Sequence, residues 1–331
     1  MGGVNHVLLT SSGRRNYLAD YFKDALGPDR MIFATDCDPL APIFETCDKG
    51  FVVPRVEEEE YIDILKRICR KFNIDLLVPC NDRELHLLAK ASSSFHDIGT
   101  HVLVSSPEVI KIANDKLRTY EFLSANDIQT SYTVGDRDKA ETALKKGKLC
   151  FPVIIKPRFG SGSDDVYVAE SISEFDVFWE RVEQPIAQGQ LIGQEFGVDI
   201  FNGADGVPRS IVPRKKIETR AGETDKAVSI ADRQLINLAL KLGTVLGHHG
   251  PADVDCFKTD SGIFVLEINP RFGGGYPLTH LAGGDFVKSA LELAEGEDLA
   301  DRVGEFEAGV VMSKTYSIES PNLKKNVHRF K

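Results

Sequence analysis

Two consecutive strand-like runs in the last third of the chain carry polar side chains at every second position. The runs span residues 252–257 and 264–271, and a short turn-forming sequence separates them. Because the side chains of a β-strand alternate between its two faces, Glu267 and Asn269 share one face and Leu266 belongs to the other. The pattern predicts an antiparallel hairpin with one packed face and one polar face.

The register of this hairpin would bring its acidic side chains together. We expect a turn over residues 260–262, with its glycine in a bulge, and this register pairs Asp255 with Glu267 and Asp253 with Asn269. Facing carboxylates repel each other, and a divalent cation with hard oxygen ligands removes that conflict. We therefore predict metal ligands at Asp255, Glu267 and Asn269, although Asp253 remains an alternative to Asp255. An ordinary strand with a polar outer face is the competing interpretation.

A lysine near the end of an apolar strand, and the loop after it, are typical of a phosphate-binding segment. Residues 151–157 form the strand, which carries Lys156, and the loop contains Gly160, Ser161 and Gly162. Backbone N–H groups of such a loop can surround a phosphate chain while the ammonium group neutralises its charge. A simple glycine–serine turn is the alternative, and no P-loop sequence is present.

Residues 186–200 predict two short strands joined by a connector, with Glu195 at the start of the second strand. Backbone groups of such a connector can recognise an adenine edge. A carboxylate at this position can accept hydrogen bonds from ribose hydroxyls.

The first third of the chain alternates short apolar runs with amphipathic stretches, which is typical of a parallel sheet with crossover helices. We expect strands at residues 4–10, 31–35, 51–53, 75–79 and 101–104, and helices near residues 15–26, 59–72, 83–94 and 107–113. A dinucleotide site is disfavoured, because the turn after the first strand carries one glycine where the fingerprint requires three.

The chain has 331 residues, too many for one core, so we predict an α/β and α+β multidomain fold. Residues 1–113 form a Rossmann-like parallel-sheet domain, residues 114–186 a small α/β lid, and residues 187–331 a mainly antiparallel unit with the metal and nucleotide site. We expect the last dozen residues to be a frayed tail.

Composition limits the partners and the compartment. The chain has 40 basic and 50 acidic residues, a net charge of −10, and only short basic clusters, so nucleic acid is not expected as a partner. The sequence contains no long apolar stretch and no signal peptide, so we expect no membrane association. Six cysteines without metal-site spacing indicate reduced thiols in the cytoplasm.

These segments, in this order, resemble the ATP-grasp superfamily, and in particular the stand-alone proteins similar to one synthetase unit of the carbamoyl-phosphate synthase large chain. Residues 7–15, 78–85 and 114–116 also resemble family segments, so the resemblance spans most of the chain. It implies an ATP-grasp fold preceded by a pre-ATP-grasp domain that contributes to the second substrate's site. It also implies ATP and Mg²⁺ as cofactors, with Mn²⁺ as a substitute, and a homodimer.

The same resemblance implies roles for individual residues. Gly189 departs from the family pattern because a glutamate is usual there, and relatives often carry Gln or Glu where this chain has Asp255. The catalytic residues would be Arg271 and Lys156. The ATP contacts would be Lys116, Lys156, Gly160, Ser161, Gly162, Gln188, Gln190, Leu191 and Glu195, and the metal ligands Asp255, Glu267 and Asn269.

The function that this set favours is an ATP-dependent carboxylate–amine ligase acting on small molecules through an acyl phosphate. One alternative is a carbamoyl-phosphate synthase-type subunit that phosphorylates bicarbonate or carbamate with partner chains, although nothing here matches a glutaminase or an allosteric domain. A non-catalytic ATP-binding sensor is the other. It is disfavoured because binding alone does not require Arg271 at the γ-phosphate.

The substrates are not identified by the sequence. Asp82 and Glu84 are candidates to bind an amine, with a helix N-terminus as their alternative role. Guanidinium and ammonium groups can hold a carboxylate, and the candidates are Arg14, Arg15, Arg214, Lys215 and Arg220.

Overall fold

The computed structural model describes residues 3–160, 165–220, 222–315 and 327–329, and within these ranges the strands form three sheets. The first sheet lies in the first third of the chain, in the order β3-β2-β1-β4-β5 with parallel neighbours, so the predicted parallel sheet is confirmed. Its elements are β1 His6–Thr10, α1 Asn16–Leu26, β2 Met31–Asp36, α2 Ile43–Thr46, β3 Lys49–Val52, α3 Tyr61–Phe72, β4 Leu76–Pro79, α4 Asp82–His96, β5 His101–Val102 and α5 Pro107–Ala113.

Strand β1 shows why this sheet lies at the centre of its domain. Val7, Leu8 and Leu9 are fully buried, since helices cover both faces of a parallel sheet. Helix α4 begins at Asp82 because the Asn81 side chain accepts a hydrogen bond from Arg83 N and the Glu84 side chain accepts one from Asn81 N.

A helix and a small sheet follow the first domain. The helix is α6, Lys116–Ala125, and the sheet, which we call the lid sheet, has the antiparallel order β6-β9-β7-β8. Strand β9 continues beyond residue 186, so the lid sheet includes Gln188 and Gly189. The lid elements are β6 Thr133–Val134, α7 Arg137–Lys145, β7 Val153–Pro157, β8 Tyr167–Ala169, α8 Ile172–Arg181 and β9 Pro185–Gly189.

The third sheet is antiparallel, in the order β14-β13-β10-β11-β12-β15. One of its faces packs against helix α9 through Val198, Val254 and Ile268, which leaves the other face free for polar side chains. The elements are β10 Gln194–Asn202, β11 Pro208–Arg220, β12 Glu223–Ser229, α9 Arg233–Leu246, β13 Gly250–Thr259, β14 Gly262–Asn269, α10 Tyr276–Leu281, α11 Phe286–Ala294 and β15 Val311–Ser313.

The end of the chain differs from the expected frayed tail. Residues 327–329 form β16, Val327–Arg329, which pairs in parallel with β3 at the edge of the first sheet. The rest of the expected tail lies outside the described residues. Across the described ranges, no helix combines the length and the apolar character needed to cross a membrane.

Candidate active site

Four neighbouring strands bring charged side chains onto the same face of the third sheet. Strands β13 and β14 pair Asp255 with Glu267 and Asp253 with Asn269, so the predicted register is confirmed. The pairing of β13 with β10, and of β10 with β11, extends this face. The charged residues that these two strands add are Glu195, Asp199, Arg214 and Lys216.

The bulge that creates this register lies at Leu266, and the expected bulge at Gly262 was wrong. Asp255 pairs with Glu267, but the next pair is Cys256 with Val265, so Leu266 stands outside the ladder and is only half-buried. Gly262 instead closes the turn, with φ 138°. Because a shift of one residue moves a side chain to the opposite face, the bulge at Leu266 brings Glu267 to the polar face.

Lys216 is the central cation of this polar face, and it is not among the predicted site residues. Its Nζ lies 2.6 Å from Glu195 Oε1 and 2.6 Å from Asp255 Oδ1, and its side chain is 8% exposed. The available signal was the spacing of Arg214 and Lys216, since residues two apart in a strand share a face.

Burial and ion pairing act in opposite directions on these groups. Burial raises the pKa of Asp255 to about 6, although the Lys216 ammonium lowers it. Burial lowers the pKa of Lys216, but the carboxylates of Asp255 and Glu195 outweigh that effect and raise it above its usual range. Lys216 therefore stays charged and neutralises the carboxylates around it.

The donor atoms of Asp255, Glu267 and Asn269 fit a magnesium ion that also has phosphate ligands. Two carboxylates and an amide oxygen are hard donors. In the described part of the chain, no group of three or more His, Cys, Asp and Glu side chains could hold a metal ion. Mg²⁺ commonly uses one or two carboxylates together with substrate phosphates, so this set fits the ion only with a nucleotide present.

Two lysines approach Asp255 and Glu267, the two predicted carboxylate ligands that we call the metal pair, from outside the third sheet. Lys116, the first residue of α6, places Nζ 3.7 Å from Glu267 Oε1 and donates to the Gly160 carbonyl. Lys156 on β7 is buried, and burial lowers its pKa to about 8, although Glu267 raises it. Among the described residues its ammonium has no hydrogen-bond or ion-pair partner. A buried ammonium without a partner favours an anionic ligand.

Arg271 is held by a residue of the first domain. Its Nη2 donates to Asp82 Oδ2 at 2.8 Å, and its Nη1 donates to the Phe272 carbonyl at 3.1 Å. Burial lowers the pKa of Arg271, but the surrounding carboxylates, Asp82 foremost, together outweigh that effect and raise it. Arg271 Nε is buried and has no hydrogen-bond partner within the described residues, so one N–H remains available to a ligand.

Arg214 is a structural residue, and the expectation that it might hold a substrate carboxylate was wrong. It is fully buried and pairs with Asp253 and, at 2.7 Å, with Asp199. Glycines 197 and 275 leave room for its guanidinium, because a Cβ at either position would lie 2.6 or 2.2 Å from it. This pairing engages Asp253, and Lys216 engages Asp255 in a similar way.

The other substrate candidates occupy different surroundings. Arg15 Nη1 donates to the Phe272 carbonyl at 2.9 Å, close to Arg271. Glu84 is fully buried, where it accepts hydrogen bonds from Tyr61 Oη and Cys80 N, so its expected amine-binding role was wrong. The remaining basic candidates, Arg14, Lys215 and Arg220, are exposed. Arg220 also pairs with Glu218 and Asp225.

The expected adenine-binding segment is only partly placed as the sequence suggested. Gln190 and Leu191 lie in the connector between β9 and β10, and Glu195 is the second residue of β10. Gln188 instead lies in the lid sheet, where its backbone pairs with β6 and β7 and its side chain donates to Thr133 Oγ1 at 2.8 Å. The Gln188 side-chain nitrogen is therefore engaged within the lid sheet. The remaining loop residues of the prediction, Ser161 and Gly162, lie outside the described residues.

A cleft of about 1070 Å³ opens beside the metal pair. Glu267 and Asn269 line it from the third sheet, Gly160 from the loop after β7, and Asp82 and His86 from the first domain. This volume is at the upper end of ordinary ligand pockets. The three units of the fold therefore contribute to one cleft.

Comparison with known families agrees with this arrangement. Residues 113–275 match the model of the ATP-grasp domain, and residues 7–103 match the model of the PylC-like N-terminal domain. Residues 7–103 thus cover the strands of the parallel first domain, and residues 113–275 cover the lid sheet and the metal pair.

Two relatives illustrate the range of sequence similarity. The carbamoyl-phosphate synthase of Methanobrevibacter smithii is 25% identical over 94% of this chain and 87% of its own length. The arginine-specific carbamoyl phosphate synthase large chain of Geobacillus stearothermophilus is 24% identical over 65% of this chain. That match covers 22% of the Geobacillus chain, so this chain spans about a fifth of that relative.

Solved structures share the fold at low identity. The biotin carboxylase domain of the Hydrogenobacter thermophilus 2-oxoglutarate carboxylase, in complex with MgADP, ADP and bicarbonate, has a TM-score of 0.74 at 14% identity and covers 94% of this chain and 74% of its own. The N5-carboxyaminoimidazole synthetase of Staphylococcus aureus, in complex with ADP, has a TM-score of 0.71 at 14% identity and covers 91% of this chain and 80% of its own.

Proposed function

We propose that this ATP-dependent enzyme of the ATP-grasp superfamily is a carboxylate–amine ligase that acts through an acyl phosphate. The observation that carries the proposal is the convergence of Lys156, the Asp255–Glu267 pair and Arg271. A buried ammonium without a partner and a buried guanidinium with a free N–H are costly unless an anion binds them. The phosphate chain of a nucleoside triphosphate supplies that anion.

Each group of site residues has a separate role in the proposed reaction. Lys116 and Lys156 would neutralise the phosphate chain, and Glu195 would accept from the ribose. Asp255, Glu267 and Asn269 would hold Mg²⁺, which when bound supplies positive charge beside the phosphate oxygens. Arg271 would donate to the oxygens on which charge develops during transfer.

The proposed reaction has two steps. The substrate carboxylate attacks the γ-phosphorus, the bond to the β-phosphate oxygen breaks, and ADP leaves. An amine then attacks the acyl carbon, displaces phosphate and loses one proton, and the products are an amide, ADP, phosphate and a proton. The acyl phosphate would hydrolyse in open water, so the lid sheet has to exclude water during turnover.

A second function, the phosphorylation of bicarbonate, is supported by one comparison. The match to the carbamoyl-phosphate synthase of Methanobrevibacter smithii covers most of both chains. A bicarbonate substrate would use the same metal pair and the same arginine, since bicarbonate is itself a small carboxylate.

A coupled ADP-release assay separates these functions. We expect turnover to require one carboxylate and one amine together, and a matched panel of amino acids tests each partner alone and in pairs. Turnover with bicarbonate and ammonia, without an organic carboxylate, would favour the second function. Mg·ADP binding by calorimetry without turnover on any substrate would favour a sensor. Light scattering on the same sample tests the homodimer.

A further inference from the structure

The first domain contributes one carboxylate directly to the catalytic arginine. Asp82 and Arg271 lie 189 positions apart in the sequence, and their side chains meet at 2.8 Å with little exposure to solvent. We infer that Asp82 is a positioning residue for Arg271, and that the first domain thereby completes the active site. This inference rests on the proposed function, because it assigns Arg271 to the transferred phosphoryl group.

The backbone around Asp82 is suited to hold a side chain in place. Asp82 is the first residue of α4, directly after the capping residue Asn81. The Glu84 carboxylate is fully buried, and it accepts hydrogen bonds from the backbone nitrogens of Cys80 and Asn81. The start of the helix is therefore fixed by a reciprocal capping box. A carboxylate on this rigid turn fixes its partner more precisely than one on a loop.

The ion pair leaves the rest of the guanidinium ready for a ligand. Asp82 Oδ2 and the Phe272 carbonyl engage the two terminal nitrogens of Arg271, whereas Arg271 Nε has no partner in the described ranges. Asp82 Oδ1 is also buried without a hydrogen-bond partner there. Asp82 itself lines the cleft that contains Glu267 and Asn269.

A competing carboxylate explains why Arg271 needs an anchor. Glu267 lines the same cleft as Asp82 and lies on β14, the strand that leads to Arg271. Without Asp82, we expect the guanidinium to turn towards Glu267 and neutralise this proposed metal ligand. Asp82 thus keeps the arginine and the metal pair apart, and a misplacement of about 1 Å can cost roughly a hundredfold in rate.

Kinetics of Asp82→Asn and Asp82→Glu test this role. We expect Asp82→Asn to lower kcat at least roughly tenfold while the KM for ATP and the Kd for Mg·ADP stay within about twofold of the wild type. Asp82→Glu, which keeps the charge, should recover part of kcat. The double variant Asp82→Asn/Arg271→Ala should be no slower than Arg271→Ala alone, because Asp82 acts through the arginine.

A matched control removes an ion pair of the same length elsewhere. Asp176 pairs with Arg137 at 2.8 Å on the lid, and Asp176→Asn should leave kcat unchanged. Normal kcat in Asp82→Asn, or a double variant clearly slower than Arg271→Ala, would overturn the inference.

A second readout does not depend on turnover. In protein with ¹⁵N-labelled arginine, the Arg271 signals are assigned by their loss in Arg271→Lys. We expect slow rotation of the Arg271 guanidinium in the wild type and in the Mg·ADP complex, and fast rotation in Asp82→Asn. Equal rotation rates in both proteins would overturn the inference. If no substrate is turned over, the proposed function fails while this measurement still decides whether Asp82 anchors the arginine.

Discussion

Lys216 Nζ lies 2.6 Å from Asp255 Oδ1, on the face of the sheet where Glu195 and Glu267 also lie. The ammonium group therefore supplies the positive charge that the carboxylates of this face require in the absence of a metal ion. Because burial raises the pKa of Asp255 to about 6, the carboxylate is costly to keep ionised without that partner. The proposed nucleotide site is thus stabilised by a lysine before any ligand binds.

Replacement of Lys216 should destabilise the free protein. Lys216→Met leaves Asp255 and Glu195 without their shared cation, and breaking a buried pair costs on the order of 3 kcal/mol. Urea denaturation measures the loss, and Mg²⁺ should restore part of it because it offers the same carboxylates a new cation. The control is Lys226→Met, which breaks a pair of the same 2.6 Å length on the exposed surface and should change stability little. Equal losses in the two variants would contradict this account.

Lys156 should couple nucleotide binding to a proton. Its pKa of about 8 means that the free protein loses this charge as the pH rises through that value. A bound phosphate chain raises the pKa again, so binding above about pH 8 takes up a proton and becomes weaker as the pH rises.

Calorimetry with Mg·ADP in two buffers of different ionisation enthalpy measures this proton uptake. Lys156→Met should abolish it, and should weaken ATP and ADP to a similar extent because both carry the phosphates assigned to this lysine. Unchanged affinity for both nucleotides in Lys156→Met would remove the residue from the site.

Loss of one metal-ligand charge should stop turnover without unfolding the protein. Glu267→Gln keeps the size of the side chain, and Glu267 is only half-buried, so the fold should persist. The weaker ligand should raise the Mg²⁺ concentration required for ADP release beyond any practical range. Circular dichroism checks the fold and the coupled assay checks turnover. Wild-type activity in this variant would exclude Glu267 as a ligand.

Arg271 should matter for transfer more than for binding. Its free Nε–H has no partner among the described residues, and a donor of this kind stabilises charge that develops on the moving phosphoryl group. Arg271→Ala should lower kcat by roughly two to three decades, while the Kd for ATP changes far less. Arg271→Lys should recover only part of the rate, since lysine lacks the planar fork. A near-normal kcat in Arg271→Ala would make the residue structural and favour a sensor.

Local patterns were sufficient to predict the parts of this fold that neighbouring segments determine. The register of Asp255 with Glu267 followed from strand alternation and a short turn, and the parallel first sheet followed from alternating strands and helices. The position of the bulge could not be predicted, because one extra residue fits at either Gly262 or Leu266 without changing the sequence pattern.

The contacts that sequence reasoning missed join distant segments. Lys216 meets Asp255 only because β10 lies between β11 and β13, and no local pattern specifies that strand order. Asp82 meets Arg271 across a domain boundary. Gln188 lies in β9 and not in the connector for a related reason, since the lid sheet extends to Gly189 before the connector begins.

Activation of a carboxylate by phosphorylation is tested most directly by oxygen transfer. Once a substrate pair is found, the reaction is run with ATP, the amine and a carboxylate labelled with ¹⁸O in both oxygens, and the phosphate is analysed by mass spectrometry. The acyl phosphate predicts one ¹⁸O atom in each phosphate released, because the amine displaces phosphate together with one carboxylate oxygen. Unlabelled phosphate released in step with amide formation would contradict the account.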